Sequence, residues 1–351
     1  MDPSDQSPLA ILVNSDDPFN AKTAVGVLRY GRSPIVALVD PDRAGKTAGD
    51  VYGVRPDVPI VASVKNLPAE ARRLLVGIAS RGGDLPDEMR VEIMDAIERG
   101  MDVYNGLHTF LTEDGPISEA ACAKGVKLVD LREVPDEHPV GLGLPHRAGS
   151  TVVLTVGSDC NVGKMSVALE LDLLARQRGL SSGFVATGQT GIMIAGSGIA
   201  VDRVISDFTA GAIEHVVVPA AERYDWVWVE GQGSLFHPGY SGVTMGLMHG
   251  AAPEKMILCH QPSRTHIRRY DEVPIPPLAT VLRGYEEAMS WRVPSKVVAV
   301  ALNTYDLDEA AAKDAIARAE DELGLPATDV VRFGAAKLLD ATIGQPTPAA
   351  R

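Results

Sequence analysis

The stretch from Thr151 to Leu171, "TVVLTVGSDCNVGKMSVALEL", constrains the fold more than any other part of the chain. An apolar run typical of a buried strand leads into a short loop with two glycines and a lysine. Val167, Leu171 and Leu174 then recur at the spacing of one helical face. A strand, loop and helix in this order point backbone N–H groups and a helix N-terminus at the loop, which favours anions. The predicted phosphate-binding residues are Gly157, Ser158, Asp159, Cys160, Asn161, Val162, Gly163, Lys164, Met165 and Ser166.

This loop departs from the common phosphate-binding pattern at the residue after the lysine. In G-x-x-x-x-G-K-[ST] the Ser or Thr hydroxyl holds Mg²⁺. Here Met165 takes that position, and Ser166 is rotated by about 100° around the helix. We therefore expect a loop that binds a diphosphate without cleaving it. Coenzyme A carries such a diphosphate, far from its reactive end.

The remaining sequence predicts an α/β protein of two domains, each with a parallel sheet. Residues 1–134 alternate apolar strands with helices, as in a Rossmann-like domain. Residues 135–150 are rich in Pro and Gly and read as a linker. Residues 151–345 repeat the alternation as a P-loop domain, with "VVRF" (330–333) expected as its last strand, and 346–351 are expected to form a disordered tail.

The N-terminal domain has one feature of a dinucleotide-binding domain and lacks another. Asp40 ends the second predicted strand, where an acid would bind a ribose. The first turn, "NSDDPFNAK", contains no glycine, so its backbone could not approach a pyrophosphate closely. We expect a Rossmann-like domain that binds no dinucleotide.

Composition narrows the classes of partner. A net charge of −13 argues against sequence-independent nucleic-acid binding. Three cysteines are too few for a disulfide framework and indicate a reducing cytoplasm. No apolar run reaches the roughly 18 residues of a membrane span. We expect a cytoplasmic enzyme with a small-molecule substrate, in a homo-oligomer.

The Gly-Lys loop resembles the variant loop of dethiobiotin synthetase and its relatives, G-T-D-T-x-V-G-K-T. "YDWVWVEGQGS" resembles their strand with a terminal acid, which places Glu230 near the phosphates. "ATGQTGIM" resembles their second loop at Thr190 and Gly191 only, and the lysine before that loop is absent. Asn303 stands where the relatives place an adenine-reading residue, although an Asn in a turn is equally ordinary.

A wider resemblance covers most of the chain. It rests on "NGLH" (105–108), "GSDCNVGKMS", "TGQTGIM", "DFTAGAIE" (207–214), "EGQGSLFHPGYSGVT" (230–244) and "LCHQPSR" (258–264). These motifs are similar to those of a bacterial family with a Rossmann-like and a P-loop domain, known as D-glutamate N-acetyltransferases. The resemblance implies transfer of acetyl from acetyl-CoA to the amino group of D-glutamate or a similar D-amino acid.

Such a transfer needs a base to deprotonate the ammonium and a donor to stabilise the tetrahedral oxyanion. Glu230, Asp207 and His237 are the candidate bases. Each has an ordinary alternative: a phosphate-site carboxylate for Glu230, a helix-surface acid for Asp207, and a loop histidine for His237. The helix expected around Asp207 has Val204, Phe208 and Ala212 facing inward.

Two carboxylates on the acceptor require cationic or N–H partners. Arg264 and Arg268 follow the strand "KMILCH", at the expected binding edge, unless they form a solvated basic turn. The remaining candidates for substrate binding are Gln189, Thr190, Gly191 and His108, of which His108 is as easily structural.

Cys160 and three of the histidines bear on two further chemistries. Cys160 at a helix N-terminus could accept the acetyl group, or be a small loop residue whose backbone matters. No metal-ligand spacing is found, since His249, His260 and His266 are too far apart for a local pair, so no metal is expected.

Other functions remain compatible with the sequence. One is an ATP- and Mg²⁺-dependent ligase or kinase of the dethiobiotin synthetase type, with Asp159 and Glu230 holding the metal. Another is a nucleotide-binding module without turnover. Glycine-rich and polar segments at predicted strand ends favour an enzyme.

Overall fold

A computed structural model describes residues 6–14, 18–79, 81–135 and 139–344, without the side chains of residues 18, 19 and 81. The chain divides into two compact units. The first comprises residues 1–134 and 189–200, and the second comprises 135–188 and 201–351. The predicted tail, 346–351, lies outside the described residues.

The first unit contains a six-stranded parallel sheet in the order β3-β2-β1-β4-β5-β6. Its strands are β1 (Leu9–Leu12), β2 (Ile35–Val39), β3 (Ile60–Val61), β4 (Arg73–Val76), β5 (Asp102–Asn105) and β6 (Leu128–Asp130). Its helices are α1 (Lys22–Tyr30), α2 (Ala48–Tyr52), α3 (Asp87–Glu98) and α4 (Gly115–Lys124), with one more from residues 189–200.

The second unit contains another six-stranded parallel sheet, in the order β12-β11-β10-β7-β9-β8. Its strands are β7 (Thr151–Gly157), β8 (Ser182–Val185), β9 (Trp226–Val229), β10 (Lys255–His260), β11 (Lys296–Leu302) and β12 (Ala327–Thr328). The helices from residue 151 onward are α5 (Lys164–Gln177), α6 (Gln189–Ala195), α7 (Thr209–Arg223), α8 (Ser241–Ala251), α9 (Leu278–Ser290), α10 (Glu309–Leu323) and α11 (Ala336–Gly344).

The segment 189–200, which includes α6, belongs to the first unit although both of its flanks belong to the second. Where the segment begins and ends, its two flanks meet, and the backbone N–H of Val201 donates to the carbonyl of Thr187, 3.1 Å away. Within the first unit, the hydroxyls of Thr190 and Thr23 lie 2.9 Å apart. This excursion of the chain was not predicted from sequence.

The predicted α/β class and two parallel sheets are confirmed, and two local predictions are wrong. Residues 330–333 form a turn, and the edge strand is Ala327–Thr328 instead. Asp329 causes the turn, since its carboxylate accepts the backbone N–H groups of Val331 and Arg332. The helix expected around Asp207 begins only at Thr209, after a short 3-10 turn.

The core of the second unit lies around its central strand. Every residue of β7 is buried, and Val153 packs with Trp228, Ile257 and Ala299 from the neighbouring strands. The predicted face of α5 is confirmed, since Val167 and Leu171 are buried in this cluster and Leu174 packs against it. Among the described residues, no helix combines the length and apolarity that crossing a membrane requires.

Candidate functional site at the Gly-Lys loop

The strand order of the second sheet gathers the predicted site residues at one edge. β7 lies between β9 and β10, and β11 lies beside β10. Because the strands are parallel, the segments that follow them share the carboxyl edge, where α/β proteins bind ligands. The loop 158–163 follows β7, Glu230 follows β9, Gln261 follows β10 and Asn303 follows β11.

Two residues of the loop adopt left-handed backbone conformations. Asn161 has φ 54° and Gly163 has φ 99°, and Gly163 is the N-cap of α5. A non-glycine residue at position 163 would be strained, which explains the glycine directly before the lysine. The turn ends in the first N–H groups of a 14-residue helix, which suit an anion.

Lys164 is buried between two glycines. Its Nζ donates to the backbone carbonyl of Asp159, 2.8 Å away. A Cβ on Gly157 would come within 3.0 Å of this Nζ, and one on Gly231 within 2.9 Å of the Lys164 Cδ. Burial lowers the pKa of Lys164, because desolvation disfavours its charged form. A bound phosphate would add negative charge beside Nζ and so favour the charged form of Lys164.

The carboxylate of Asp159 is fully buried and joins the loop to the segment after β10. Oδ1 accepts the backbone N–H of Cys160 at 2.6 Å. Oδ2 accepts Nη1 of Arg264 and the backbone N–H of Arg268, each at 2.8 Å. A carboxylate with these donors has its charge and lone pairs largely satisfied within the protein.

Arg264 makes further bonds to this part of the protein. Its guanidinium also donates to the carbonyl of Cys160 and to Oε1 of Gln261, both at 2.6 Å. Nε2 of Gln261 in turn donates to Asp306, 3.0 Å away. The structure therefore places Arg264 in a network that shapes the loop, whereas Arg268 joins it through its backbone N–H and has a half-buried side chain.

His260, at the end of β10, is hydrogen-bonded to the beginning of the loop. Its Nδ1 lies 2.8 Å from Oγ of the fully buried Ser158. Burial, and then the charge of Arg264, lower the pKa of His260 to about 4. The imidazole is therefore neutral at physiological pH.

Glu230 is buried at the end of β9 and holds the turn that follows β8. Its Oε2 accepts the backbone N–H groups of Thr187 at 3.0 Å and Gly188 at 3.2 Å. Its own carbonyl accepts the hydroxyl of Thr187 at 2.6 Å. The neighbouring Gly231 lies against the Lys164 side chain, so Glu230 is adjacent to the loop as predicted.

His237 lies in the loop between β9 and α8. Its ring stacks on Tyr240, with centroids 4.4 Å apart, and meets Tyr270 edge-on at 5.1 Å. Nδ1 accepts the backbone N–H of Gly239 at 3.0 Å, so the neutral ring carries its proton on Nε2. Burial lowers the pKa of His237, which favours that neutral form.

Asp159, Cys160 and His237 converge, although they come from two different loops. One oxygen, the Cys160 sulfur and one ring nitrogen lie within 4.8 Å of one another. This donor set is of a kind that zinc accepts. However, the bonds of Asp159 to Arg264 and to two backbone N–H groups compete with any metal for its oxygens.

The other predicted loop residues lie around this centre. Val162 is buried, while Met165 and Ser166 are half-buried on the first turn of α5. The Cβ of Asn303 would be 4.0 Å from a Cβ on Gly163, so Asn303 adjoins the loop. Its Oδ1 accepts the backbone N–H of Tyr305 at 3.4 Å, as in an Asn that also shapes its own turn.

Tyr285 contributes to the site and was not predicted. It is fully buried on α9, and its hydroxyl donates to the carbonyl of Gly157 at 2.7 Å and accepts the N–H of Leu235 at 3.2 Å. Burial raises its pKa to about 12, so the hydroxyl keeps its proton. A tyrosine on the apolar face of a helix looks like a core residue, and nothing in its sequence context indicates this link.

Five further predicted residues lie outside the segments that follow β7, β9, β10 and β11. Asp207 is exposed on the 3-10 turn before α7. Gln189, Thr190 and Gly191 begin α6 in the first unit. His108 also belongs to the first unit, where its backbone N–H donates to the carbonyl of Gly83 at 2.9 Å.

The fold, and the Gly-Lys loop at the carboxyl edge of the second sheet, define a two-domain protein with a P-loop-type domain. Comparison with known proteins supports the same class. A family model described as "Domain of unknown function (DUF1611_C) P-loop domain" matches residues 139–339. A second, the DUF1611_N Rossmann-like domain, matches residues 41–134. The crystal structure of a DUF1611 family protein from Anabaena variabilis is 42% identical, with a TM-score of 0.90, and covers 97% of this chain and 100% of that one.

Two curated relatives carry the name D-glutamate N-acetyltransferase. One, from Tritonibacter scottomollicae, is 37% identical over 95% of this chain and 97% of its own length. The other, from a Pseudoalteromonas species, is 35% identical over 75% of this chain and 79% of its own length. The chain belongs to the DUF1611 family, and by class it is an acyltransferase.

Proposed function

We propose that the protein transfers the acetyl group of acetyl-CoA to the amino group of D-glutamate or a similar D-amino acid. The observation that carries this proposal is the Gly-Lys loop of an acyltransferase-family chain, with Met165 in place of the magnesium-binding hydroxyl. Such a loop has the groups to bind a diphosphate and lacks one that phosphoryl transfer uses.

In this proposal the loop binds the diphosphate of coenzyme A. The backbone N–H groups before α5 and the buried ammonium of Lys164 provide the positive potential. Asn303 adjoins Gly163 and is the proposed contact to the adenine. The buried pairing of Arg264 with Asp159 supports the loop conformation before any ligand arrives.

The proposed chemistry is direct transfer. Glu230 takes a proton from the substrate ammonium, and the free amine attacks the thioester carbonyl carbon. As the tetrahedral intermediate collapses, the C–S bond breaks and the thiol leaves with a proton. Glu230 is preferred over Asp207, because Glu230 is buried beside the loop and Asp207 is exposed on a turn.

His237 has the features of an oxyanion donor. Because its Nδ1 accepts the N–H of Gly239, its proton resides on Nε2, and the ring donates there. The lowered pKa keeps the ring neutral, so its Nε2–H can stabilise negative charge without prior protonation.

Cys160 remains the candidate for a covalent route, and a burst of thiol release without an amine acceptor would reveal it.

The contacts of the two site carboxylates weigh against the ATP-dependent alternative. Asp159 is bonded to Arg264, and Glu230 accepts two backbone N–H groups on one oxygen. At Asp159, where both oxygens already accept hydrogen bonds, Mg²⁺ would have to compete with these donors.

The test is to mix the protein with acetyl-CoA and D-glutamate, without ATP or Mg²⁺, and to follow free thiol. We expect thiol release with D-glutamate, less with L-glutamate, and N-acetylglutamate in the product mixture. Acetyl-CoA alone is the control for hydrolysis. No thiol release with any amino acid, together with ADP formation from Mg-ATP, would overturn the proposal.

A further inference from the structure

Gln189 carries a buried polar group that has no hydrogen-bond partner in the part of the chain that the structure describes. Its side chain is 5% exposed, and Nε2 has no hydrogen-bond partner among the described residues. An unsatisfied buried donor is unfavourable, so nearly all such groups in folded proteins are bonded. An exception calls for a ligand or another reason for its retention.

The backbone on both sides of Gln189 is held. Before it, the N–H of Gly188 donates to Oε2 of Glu230, 3.2 Å away. After it, the buried hydroxyl of Thr190 lies 2.9 Å from that of Thr23. These bonds fix the backbone from which the buried side chain of Gln189 extends.

The first unit also makes room for this side chain. A Cβ on Gly106 would come within 2.8 Å of Cγ of Gln189, so only glycine permits the approach. Gly106 follows β5, at the carboxyl edge of the first sheet, where ligands bind.

The turn around Gly106 is rigid. Nδ2 of Asn105 donates to Asp130 at 2.7 Å and to the carbonyl of Thr109 at 2.8 Å, and its Oδ1 accepts the N–H of Leu107 at 3.1 Å. The "NGLH" segment thus has a physical role, which is to present a glycine to Gln189.

We propose that Gln189 is a specificity-determining residue whose side-chain amide donates to a carboxylate of the acceptor amino acid. An amide NH₂ can only donate, so its ligand must offer an acceptor oxygen. Glutamate has two carboxylates, and both present such oxygens. The inference rests on the proposed function, since that function supplies the dicarboxylate.

The test uses Gln189→Met, which keeps the length of the side chain and removes the donor. We expect the KM for D-glutamate to rise about 10- to 100-fold, the range for a lost hydrogen bond to a charged group. The change in kcat should be smaller. The melting temperature should stay equal or rise, because an unsatisfied buried donor is removed.

A matched control is available in the second unit. Ser295 is buried, and its Oγ is also without a partner among the described residues. Ser295→Ala should affect stability in the same direction and leave the KM for D-glutamate unchanged. A Gln189→Met enzyme with the wild-type KM, or with a raised KM and a melting temperature several degrees lower, would overturn the inference.

Comparing substrates distinguishes the two carboxylates. If Gln189 binds the side-chain carboxylate, Gln189→Met should impair D-glutamate and leave D-norvaline unaffected. If it binds the α-carboxylate, both substrates should be impaired by a similar factor. Equal KM values for both enzymes with both substrates would contradict the proposal.

Calorimetric titration of D-glutamate, without a donor, separates this inference from the proposed function. Absent thiol release in the wild-type enzyme would overturn the function. D-Glutamate binding that weakens about 10-fold or more in Gln189→Met would still support the inference, and no binding to the wild-type protein would overturn it.

Discussion

The two sheets are built from the same kind of strand but arranged in different orders. In the first, β2 lies next to β1. In the second, β9 lies between β7 and β8, so the third strand of that unit adjoins its first. The order decides which side chain meets the loop after the first strand, and it therefore decides what chemistry each edge can support.

The acids at the two edges illustrate the difference. Asp40 follows β2, where its Oδ2 pairs with Arg43 at 2.7 Å and its Oδ1 accepts the N–H of Asp42 at 3.1 Å. It therefore caps a local turn. Glu230 follows β9 and holds the backbone of Thr187 and Gly188 from a neighbouring strand. Asp40 therefore stabilises only its own turn, whereas Glu230 connects two segments at the carboxyl edge of the second sheet.

The largest expected effect comes from the loop lysine. Lys164→Met should lower kcat/KM for acetyl-CoA by about 100-fold or more, because the variant removes the buried cation that we propose contacts the diphosphate. Thiol release at varied acetyl-CoA concentration measures this.

Lys255 provides a matched control for that variant. It is equally buried, and its Nζ donates to the carbonyl of Thr342 at 2.7 Å. Lys255→Met should alter the melting temperature and leave the KM for acetyl-CoA near wild type. Equal activity losses in both variants would mean that Lys164 only supports the fold.

Gly231→Ala should destabilise the second unit by about 3 kcal/mol. A Cβ there would overlap the carbonyl oxygen of Thr155 in the adjacent strand. In Gly100→Ala, φ is +73° but the surrounding space is open, so we expect about 1 kcal/mol from strain alone.

Tryptophan fluorescence during urea unfolding can measure the first of these variants selectively. The three tryptophans, at 226, 228 and 291, all belong to the second unit. Circular dichroism then reports on Gly100→Ala in the first. If Gly231→Ala unfolded at the wild-type urea concentration, the close approach of β9 to β7 would be wrong.

A fall in pH should lower the stability of the second unit, because His260 gains a proton more readily in the unfolded state than in the folded state. Its pKa is about 4 in the folded state and about 6.5 when unfolded, so only the unfolded state gains a proton between these values. The free energy of unfolding should therefore fall by about 3 kcal/mol as pH drops from 6.5 to 4. The lowered pKa of His237 acts in the same direction.

His260→Asn should flatten this dependence, measured by tryptophan fluorescence in urea at a series of pH values. His266→Asn is the control, because His266 is exposed. Parallel pH profiles for wild type and His260→Asn would contradict the assignment.

The smallest effect is expected at the acid of the first unit. Asp40→Asn keeps an oxygen for the N–H of Asp42 and loses the ion pair with Arg43. We expect the free energy of unfolding to fall by about 1 kcal/mol. Acetyl transfer should be unchanged. A loss of transfer without a loss of stability would show that Asp40 serves a ligand after all.

Local sequence determined the parts of the fold that depend on neighbouring residues. Strand, glycine loop and helix at 151–171 follow from apolar runs and from the φ that Gly163 must adopt. The α10 helix follows from its cap, since Asp308 accepts the N–H of Ala311 and Gly324 is left-handed. Where local signals competed, prediction failed, as with the Asp329 carboxylate that turns the expected strand at 330–333.

Sequence could name most of the site but not how its residues are connected. The sequence predicts Glu230 and Asn303 at the ends of apolar strands and Arg264 just after another, so a shared edge follows from parallel pairing. The bond from Tyr285 to Gly157, and the meeting of His237 with Asp159 and Cys160, join residues that are distant in the chain. No local pattern encodes such pairs.

By itself the sequence determined that this chain forms two parallel α/β sheets and carries a Gly-Lys loop with Met165 in place of the usual hydroxyl. These properties depend on periodicity, backbone conformation and residue identity, all of which are local. Tertiary structure alone decided that β9 adjoins β7, that α6 joins the first unit, and that Nε2 of the buried Gln189 has no partner among the described residues. These features depend on which residues, distant in sequence, pack against one another and exclude water. The packing of the whole chain determines those contacts.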